Sequence, residues 1–367
     1  MPVSRLGLVV HQARPLAVQA AGVVREWCRR NDIGCTDIDV WKDHEHRRGG
    51  MEEMQHAGNP DLVVTLGGDG TFLRGARIAA KNGAAVLGVD LGKVGFLTEV
   101  ACSDVEEALE AVHKDQATIE ERMTLTMRAS RPLEVPTGIE ALLRYGHGPS
   151  LPPPAVREES DGWGVALDVT ALNDVVLEKL ARDHQVSVGV YLSGRLLASY
   201  SADALIVATP TGSTAYSFAA GGPILSPHME AVVFTPVAPH MTFNRTVVAA
   251  PDEPVGLRVL PHSGQAAVSI DGQLRGVLDP GDWIGVYGSV RRLRLVRLRP
   301  TDFYGRLRDR FRLTDAPATG IDGDLAPFFR PNTPVPPDLA HLRLPPVPTP
   351  QPDNPACEAP DATDPTE

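Results

Sequence analysis

The chain has 367 residues with 35 basic against 46 acidic side chains, and the net charge of −11 argues against a nucleic-acid binder working through a broad basic surface. Hydrophobic residues make up 43 % and charged residues 22 %, an ordinary balance for a globular chain of about one to three domains. No apolar run of roughly 20 residues is available to cross a membrane, and the start MPVSRLGLVVHQARP lacks a secretory signature. Cys28, Cys35, Cys102 and Cys357 show no CxxC spacing, so they read as ordinary thiols of a reducing compartment, without zinc, and the chain as cytoplasmic.

Residues 6–10 form a short apolar run suited to a buried parallel strand. Residues 16–30 follow with Val18, Ala21, Val24 and Cys28 at helical spacing. Further buried runs at 62–66 and 84–89 flank a helical pattern over 72–80, which predicts a Rossmann-like parallel α/β sheet. A connecting helix is expected over 104–114, with Ser103 as its cap. From about residue 118 to 298 short alternating runs separated by Gly, Pro and Asp predict an all-β sandwich. The expected domains are therefore an α/β unit at 1–115 and a β-sandwich at 116–298, the latter carrying an exposed insertion at 131–162. A segment at 299–315, with Phe303, Tyr304, Leu307 and Phe311 on one helical face, is expected to dock back on the body. Residues 316–367 form a tail with 14 of the chain's 33 prolines, a composition that predicts disorder.

Two segments carry chemistry. The run Asp61 to Arg77 ends a buried strand in Gly67-Gly68-Asp69-Gly70 before a helix. Glycines at such a turn admit a ligand to the backbone, and the helix N-terminus points N–H groups at phosphate. Asp69 is the unusual member, because a carboxylate there repels phosphate unless it takes a proton or holds a cation. Both are needed for phosphoryl transfer to an alcohol. Taken alone, Gly-Gly-Asp-Gly also suits a plain tight turn, and it is neither a Walker A loop nor a GxGxxG fingerprint. The second segment, residues 209–224, packs five Ser/Thr hydroxyls and three glycines into 16 residues after a strand, a composition that suits nucleotide binding. Between them, Asn173-Asp174 ends an alternating run as an amide and acid pair able to read base edges or ribose hydroxyls.

These segments, in this order, resemble the NAD kinase family. The similarity continues through residues 90–99, 239–245, 269–273 and 303–308, and so spans about 6–312 outside the 131–162 insertion. The resemblance implies transfer of the γ-phosphoryl group of ATP, or of a phosphoryl group from polyphosphate, to the adenosine-ribose 2′-hydroxyl of NAD. It implies Asp69 as the general base, with Gly70 beside it and Arg74 in contact with ligand. Asn173, Asp174, His184 and Asp203 would bind the dinucleotide, and Thr214, Ala215, Tyr216, Ser217, Phe218 and Ala219 would line the adenosine pocket. A divalent ion, magnesium by preference, is expected on the ATP phosphates without a dedicated protein cage. The family also implies a homodimer or homotetramer in which a neighbouring subunit completes the site, with neither nucleic acid nor membrane as partner. Asp174 departs from the commoner Glu, Ser201 from an Arg found in some members, and Phe218-Ala219 from Leu-Ser, which read as tuning. The competing readings are a non-catalytic NAD(P)-binding paralogue and a kinase that shares only the Gly-Gly-Asp-Gly turn and acts on a lipid or sugar phosphate.

Overall fold

The computed structural model describes residues 3–41, 57–92, 95–139, 151–180, 184–299 and 302–313, with Gln55, residues 336–339 and Leu342. The tail expected to be disordered lies almost wholly outside these residues. Five runs read from the sequence appear as β1 (Arg5–Val10), α1 (Pro15–Arg30), β3 (Leu62–Leu66), α2 (Asp69–Ala79) and β4 (Ala85–Asp90), joined by the short β2 (Gly34–Asp37). Every residue of β3 and β4 is buried, as a parallel sheet covered on both faces requires. On one side α1, started by Pro15, presents Ala17, Ala21, Val24 and Cys28 to the sheet. On the other side Phe72, Ala76 and Ile78 of α2 pack with Val9, Val63 and Val86.

The four parallel strands run in the order β2-β1-β3-β4. Beyond β4 the sheet continues with Leu293–Arg297, parallel to β4, and then Thr118–Arg122, antiparallel to that strand. The sequence pattern places both in the sandwich, and the structure corrects this: the chain returns to the first sheet at 293, earlier than the 299–315 segment. The reason lies in the edge of β4, whose backbone groups would otherwise go unpaired. Leu293 and Leu295 bury against the α2 face, and Val296 against the α1 face. The connecting α-helix spans Val105–His113, after a 3-10 turn at Cys102–Asp104 and without the expected Ser103 side-chain cap.

The region between the two outer strands folds into two antiparallel sheets. One runs in the order Val247–Ala249, Val232–Val237, Ala204–Ala208, Asp174–Lys179, Ala266–Ile270, Gln273–Leu278. The other contains Val186–Leu192, Val255–Val259, Trp283–Gly288 and Leu125–Ala129 at its centre. Alternation puts Val175, Leu177, Leu205 and Val207 of the first against Val188, Val190 and Leu257 of the second, which forms the core. The opposite parity, Val176, Ile206 and Ala208, is covered on the outside by Ala220 and Leu225.

The 131–162 stretch is only partly the exposed insertion expected. Val156–Ser160 is an exposed strand at the sheet edge, and 140–150 lie outside the described residues. Leu133 and Leu151, however, are buried. Leu133 occupies the space that a side chain on Gly276 would need, and Arg275 Nε donates to the Pro152 carbonyl at 2.9 Å. No helix among the described residues is long and apolar enough to cross a membrane.

Candidate active site

The Gly-Gly-Asp-Gly turn leaves β3 and enters α2 sooner than the sequence predicts: Gly68 is the N-cap and Asp69 the first helical residue. The N–H groups of Asp69 and Gly70 carry no hydrogen bond among the described residues, as expected for the open first turn of a helix. The Asp69 side chain folds over this turn and accepts N–H groups from Phe96 at 3.3 Å and Leu97 at 3.2 Å. Gly95 makes that approach possible, because any Cβ there would overlap the Asp69 carboxylate. The loop is itself tied down: Gly95 N donates to Thr98 Oγ1 at 2.7 Å, and that hydroxyl donates to the buried Asp90 at 3.2 Å. With two of its roughly four lone-pair sites engaged, an oriented carboxylate keeps acceptor capacity for a further proton donor.

The second wall is built around Asp271, held at φ +48° between Ile270 and Gly272. Its carboxylate accepts three consecutive backbone N–H groups, from Leu172 (3.0 Å), Asn173 (2.7 Å) and Asp174 (3.2 Å). Burial pushes both acids upward. For Asp271 the three N–H donors and Arg275 oppose the rise, whereas Asp174 has burial and the Asp271 charge acting together and reaches about 8. A proton is therefore held within this pair well above the ordinary carboxylate range. Over it sits the 3-10 turn Thr211–Thr214: Gly212 touches the Asn173 backbone so closely that no side chain fits, and Thr209 N donates to the Asn173 carbonyl at 2.9 Å.

The structure therefore brings Asn173, Asp174 and the 209–219 segment together. Within that segment the roles differ. Ser217 is buried, its hydroxyl paired with Thr235 Oγ1 at 2.9 Å, and Thr214 Oγ1 donates back to the Thr211 carbonyl at 3.3 Å. Ala215 is half-buried, and Tyr216, Phe218 and Ala219 are exposed, at 42 % and 37 % for the two aromatic residues. His184 is exposed, and Asp203 pairs with Lys179 at 2.7 Å. Lys179 ends the strand that Asp174 begins, so Asp203 sits roughly 17 Å from Asp174 along the sheet. Within one chain Asp203 therefore lies apart from Asp174.

A cleft of about 460 Å³ runs along α2, with Gly68, Gly70, Arg74, Arg77 and Lys81 on one side and Asp168, Thr170, Asp271, Gln273 and Arg275 on the other. From Asp69 to Lys81 the helix rise gives it a length of roughly 18 Å. Arg74 is buried across it: its guanidinium lies 4.7 Å from the Trp41 ring centroid and donates to the Val40 carbonyl at 3.3 Å and to Gln273 Oε1 at 3.4 Å. With Arg14, the lining holds five cations against the three carboxylates Asp90, Asp168 and Asp271, so it suits a polyanion. Among the described residues no group of three or more His, Cys, Asp or Glu is placed to hold a metal ion. Asp271 and Asp90 were not singled out from the sequence, although both lie in segments the resemblance covers; an Asp-Gly pair reads locally as a turn.

Comparison with known proteins agrees with this arrangement. The ATP-NAD kinase N-terminal domain model matches residues 7–117 and the ATP-NAD kinase C-terminal domain model residues 172–298. The chain is 69 % identical over 351 residues to NAD kinase 1 of Streptomyces avermitilis, covering 95 % of this chain and 98 % of that protein. To NAD kinase 1 of Streptomyces coelicolor it is 69 % identical over 348 residues, 94 % and 96 % of the two chains. In fold it is similar to yeast NADH kinase complexed with NADH, with TM-score 0.68, 20 % identity, and 86 % and 89 % of the chains covered. It is also similar to an NAD kinase from Archaeoglobus fulgidus in complex with ATP, with TM-score 0.58, 22 % identity, and coverage of 84 % and 98 %. With both domain models matched in order on the sheets that carry the two walls, the chain belongs to the ATP-NAD kinase family.

Proposed function

We propose that this chain transfers the γ-phosphoryl group of ATP to the 2′-hydroxyl of the adenosine ribose of NAD, with Asp69 as the base. The observation that carries this reading is the Asp69 carboxylate, oriented by two backbone donors at the open N-terminus of α2 and beside a cation-lined cleft. In this reading the Asn173–Asp174 strand end and the 209–219 segment hold the adenosine, so that the ribose hydroxyl meets Asp69. Asp69 takes the hydroxyl proton as the oxygen attacks phosphorus, a contribution of about 10²–10⁴-fold for a positioned base. The N–H groups of Asp69 and Gly70 and the cleft cations, Arg74 among them, stabilise charge on the transferring phosphoryl group.

A divalent ion, magnesium in our reading, would enter on the phosphate oxygens of ATP and neutralise part of their charge. The cation excess of the lining fits a metal-bearing triphosphate better than a bare ion. Asp203, remote from Asp174 in the same chain, fits a homo-oligomer in which it and the exposed His184 serve a neighbouring subunit's cleft.

Asp69→Asn keeps the shape of the turn and removes the proton acceptor. Turnover with NAD, ATP and magnesium should fall at least about 100-fold while calorimetric NAD binding stays within a few-fold. Near-normal turnover in this variant would remove Asp69 from the role.

A further inference from the structure

A chain of buried charges links the two walls of the site. Glu99, two residues beyond Leu97, pairs with Arg297 Nη1 at 2.8 Å. Arg297 Nε donates to Glu120 Oε2 at 2.6 Å, and Glu120 Oε1 accepts from Arg122 Nε at 2.9 Å and Nη2 at 2.8 Å. Arg122 Nη1 then donates to Thr211 Oγ1 at 3.1 Å, the first residue of the turn that sits on Asn173. The side chains of Glu99, Arg297, Glu120 and Arg122 are 6 %, 3 %, 12 % and 3 % exposed, and His228 Nδ1 approaches Glu120 at 3.4 Å. Burial works to raise the Glu120 carboxyl, but Arg122, Arg297 and His228 outweigh it and hold it below its ordinary value.

We infer that Glu99, Arg297, Glu120 and Arg122 are positioning residues that fix the Asp69 loop and the Thr211–Ala219 segment in register with each other. Stability does not account for four buried charges, since apolar side chains of similar volume are often as stabilising or more so. Orientation does. Each link is a directional, charge-assisted hydrogen bond, and the chain alternates in sign from one wall to the other. The base hangs on backbone N–H groups of 96–97, and the adenosine-binding turn hangs on Arg122, while the two belong to different sheets. A misplacement of about 1 Å between base and hydroxyl is enough to cost ~100-fold in rate.

This inference rests on the placement of base and adenosine given above. The test is a double-mutant cycle on the full chain with Glu99→Gln and Arg122→Met, the two ends of the chain of charges, joined through Arg297 and Glu120. Each single variant is expected to melt lower, because a buried charge loses its partner, and, assayed well below that melting temperature, to lower kcat/KM for NAD about tenfold; the double variant should also lose about tenfold rather than the hundredfold of independent sites. Arg122→Lys, which keeps a cation for Glu120, should recover part of the loss. Multiplicative losses, or single variants within twofold of the parent, would overturn the inference, as would a lowered melting temperature with unchanged kcat/KM. Should Arg122→Met not fold, the cycle is run with Arg122→Gln, which likewise removes the cation, and read by the same criteria. Asp69→Asn measured alongside separates the two readings: normal turnover there sinks the base assignment, whereas an inactive Asp69→Asn with a multiplicative cycle sinks the relay alone.

Discussion

Asp174 begins its strand almost fully buried, with the Asp271 charge beside it. It lies against Asp271, which has taken the three backbone donors of 172–174, so the remaining charge is costly and Asp174 holds its proton up to about 8. A protonated carboxyl can donate to a ribose or base acceptor, which a carboxylate cannot. The linkage has a definite sign. The folded value lies above the ordinary value of 3.8, so between about pH 4 and 8 the folded state binds more protons than the unfolded one, and stability falls as pH rises through this window. Asp174→Asn removes the titration. The melting temperature of the parent should fall more steeply between pH 6 and 8 than that of the variant, and parallel curves would show that Asp174 is ionised throughout.

At the scale of the element, α2 is anchored at both ends to what it must position. Its N-terminus carries Asp69, fastened to the 95–97 loop. Just past its C-terminus Lys81 pairs with Asp168 of the sandwich at 2.7 Å, with side chains only 2 % and 9 % exposed. Burial lowers the Lys81 amine, and the Asp168 charge opposes the shift. Lys81→Met should therefore cost about 3 kcal/mol in denaturant melts, mainly because the buried Asp168 loses its partner at 2.7 Å, Arg291 lying farther off at 3.6 Å. Adding Asp168→Asn should restore more than half of that loss, and a double variant no better than the single would mean packing, not charge, sets the cost. The sequence made α2 legible because Phe72, Ala76 and Ala79 repeat at helical spacing next to a glycine turn. It did not reveal the strands Thr118–Arg122 and Leu293–Arg297 as members of the first sheet, because strand pairing across some 170 residues leaves no local trace. Glu99, Glu120, Arg122 and Arg297 were hidden for a related reason: isolated charges read as solvated surface until the fold buries them together. Likewise Asp271 supports residues about 100 positions away, which no spacing rule reports.

For the whole molecule, the two parts of the C-terminal stretch, before and after Asp315, differ in what they hold. Phe303 is buried, with its ring centroid 6.2 Å from that of Phe96, whose N–H supports Asp69. Truncation after Pro300 removes a buried aromatic side chain contributing ~1.5–3 kcal/mol and frees the loop that holds Asp69. Melting temperature and NAD kinase activity should both drop. Truncation after Asp315 removes only the proline-rich stretch and should leave both nearly unchanged. Equal behaviour of the two truncations in melting and activity assays would refute the distinction.

The return of the chain at 293–297 also dictates an order of events during synthesis. The edge of β4 that pairs with Leu293–Arg297 stays open until almost 300 residues have been made, although β4 itself ends at Asp90. The sandwich strands, from Leu125 to Gly288, are all available before that strand emerges. A ribosome releasing this chain at about 5–20 residues per second leaves the β4 edge uncovered for roughly 10–40 seconds. Asp69 is made some 200 residues ahead of that strand, yet the sheet that carries it closes only when the strand arrives.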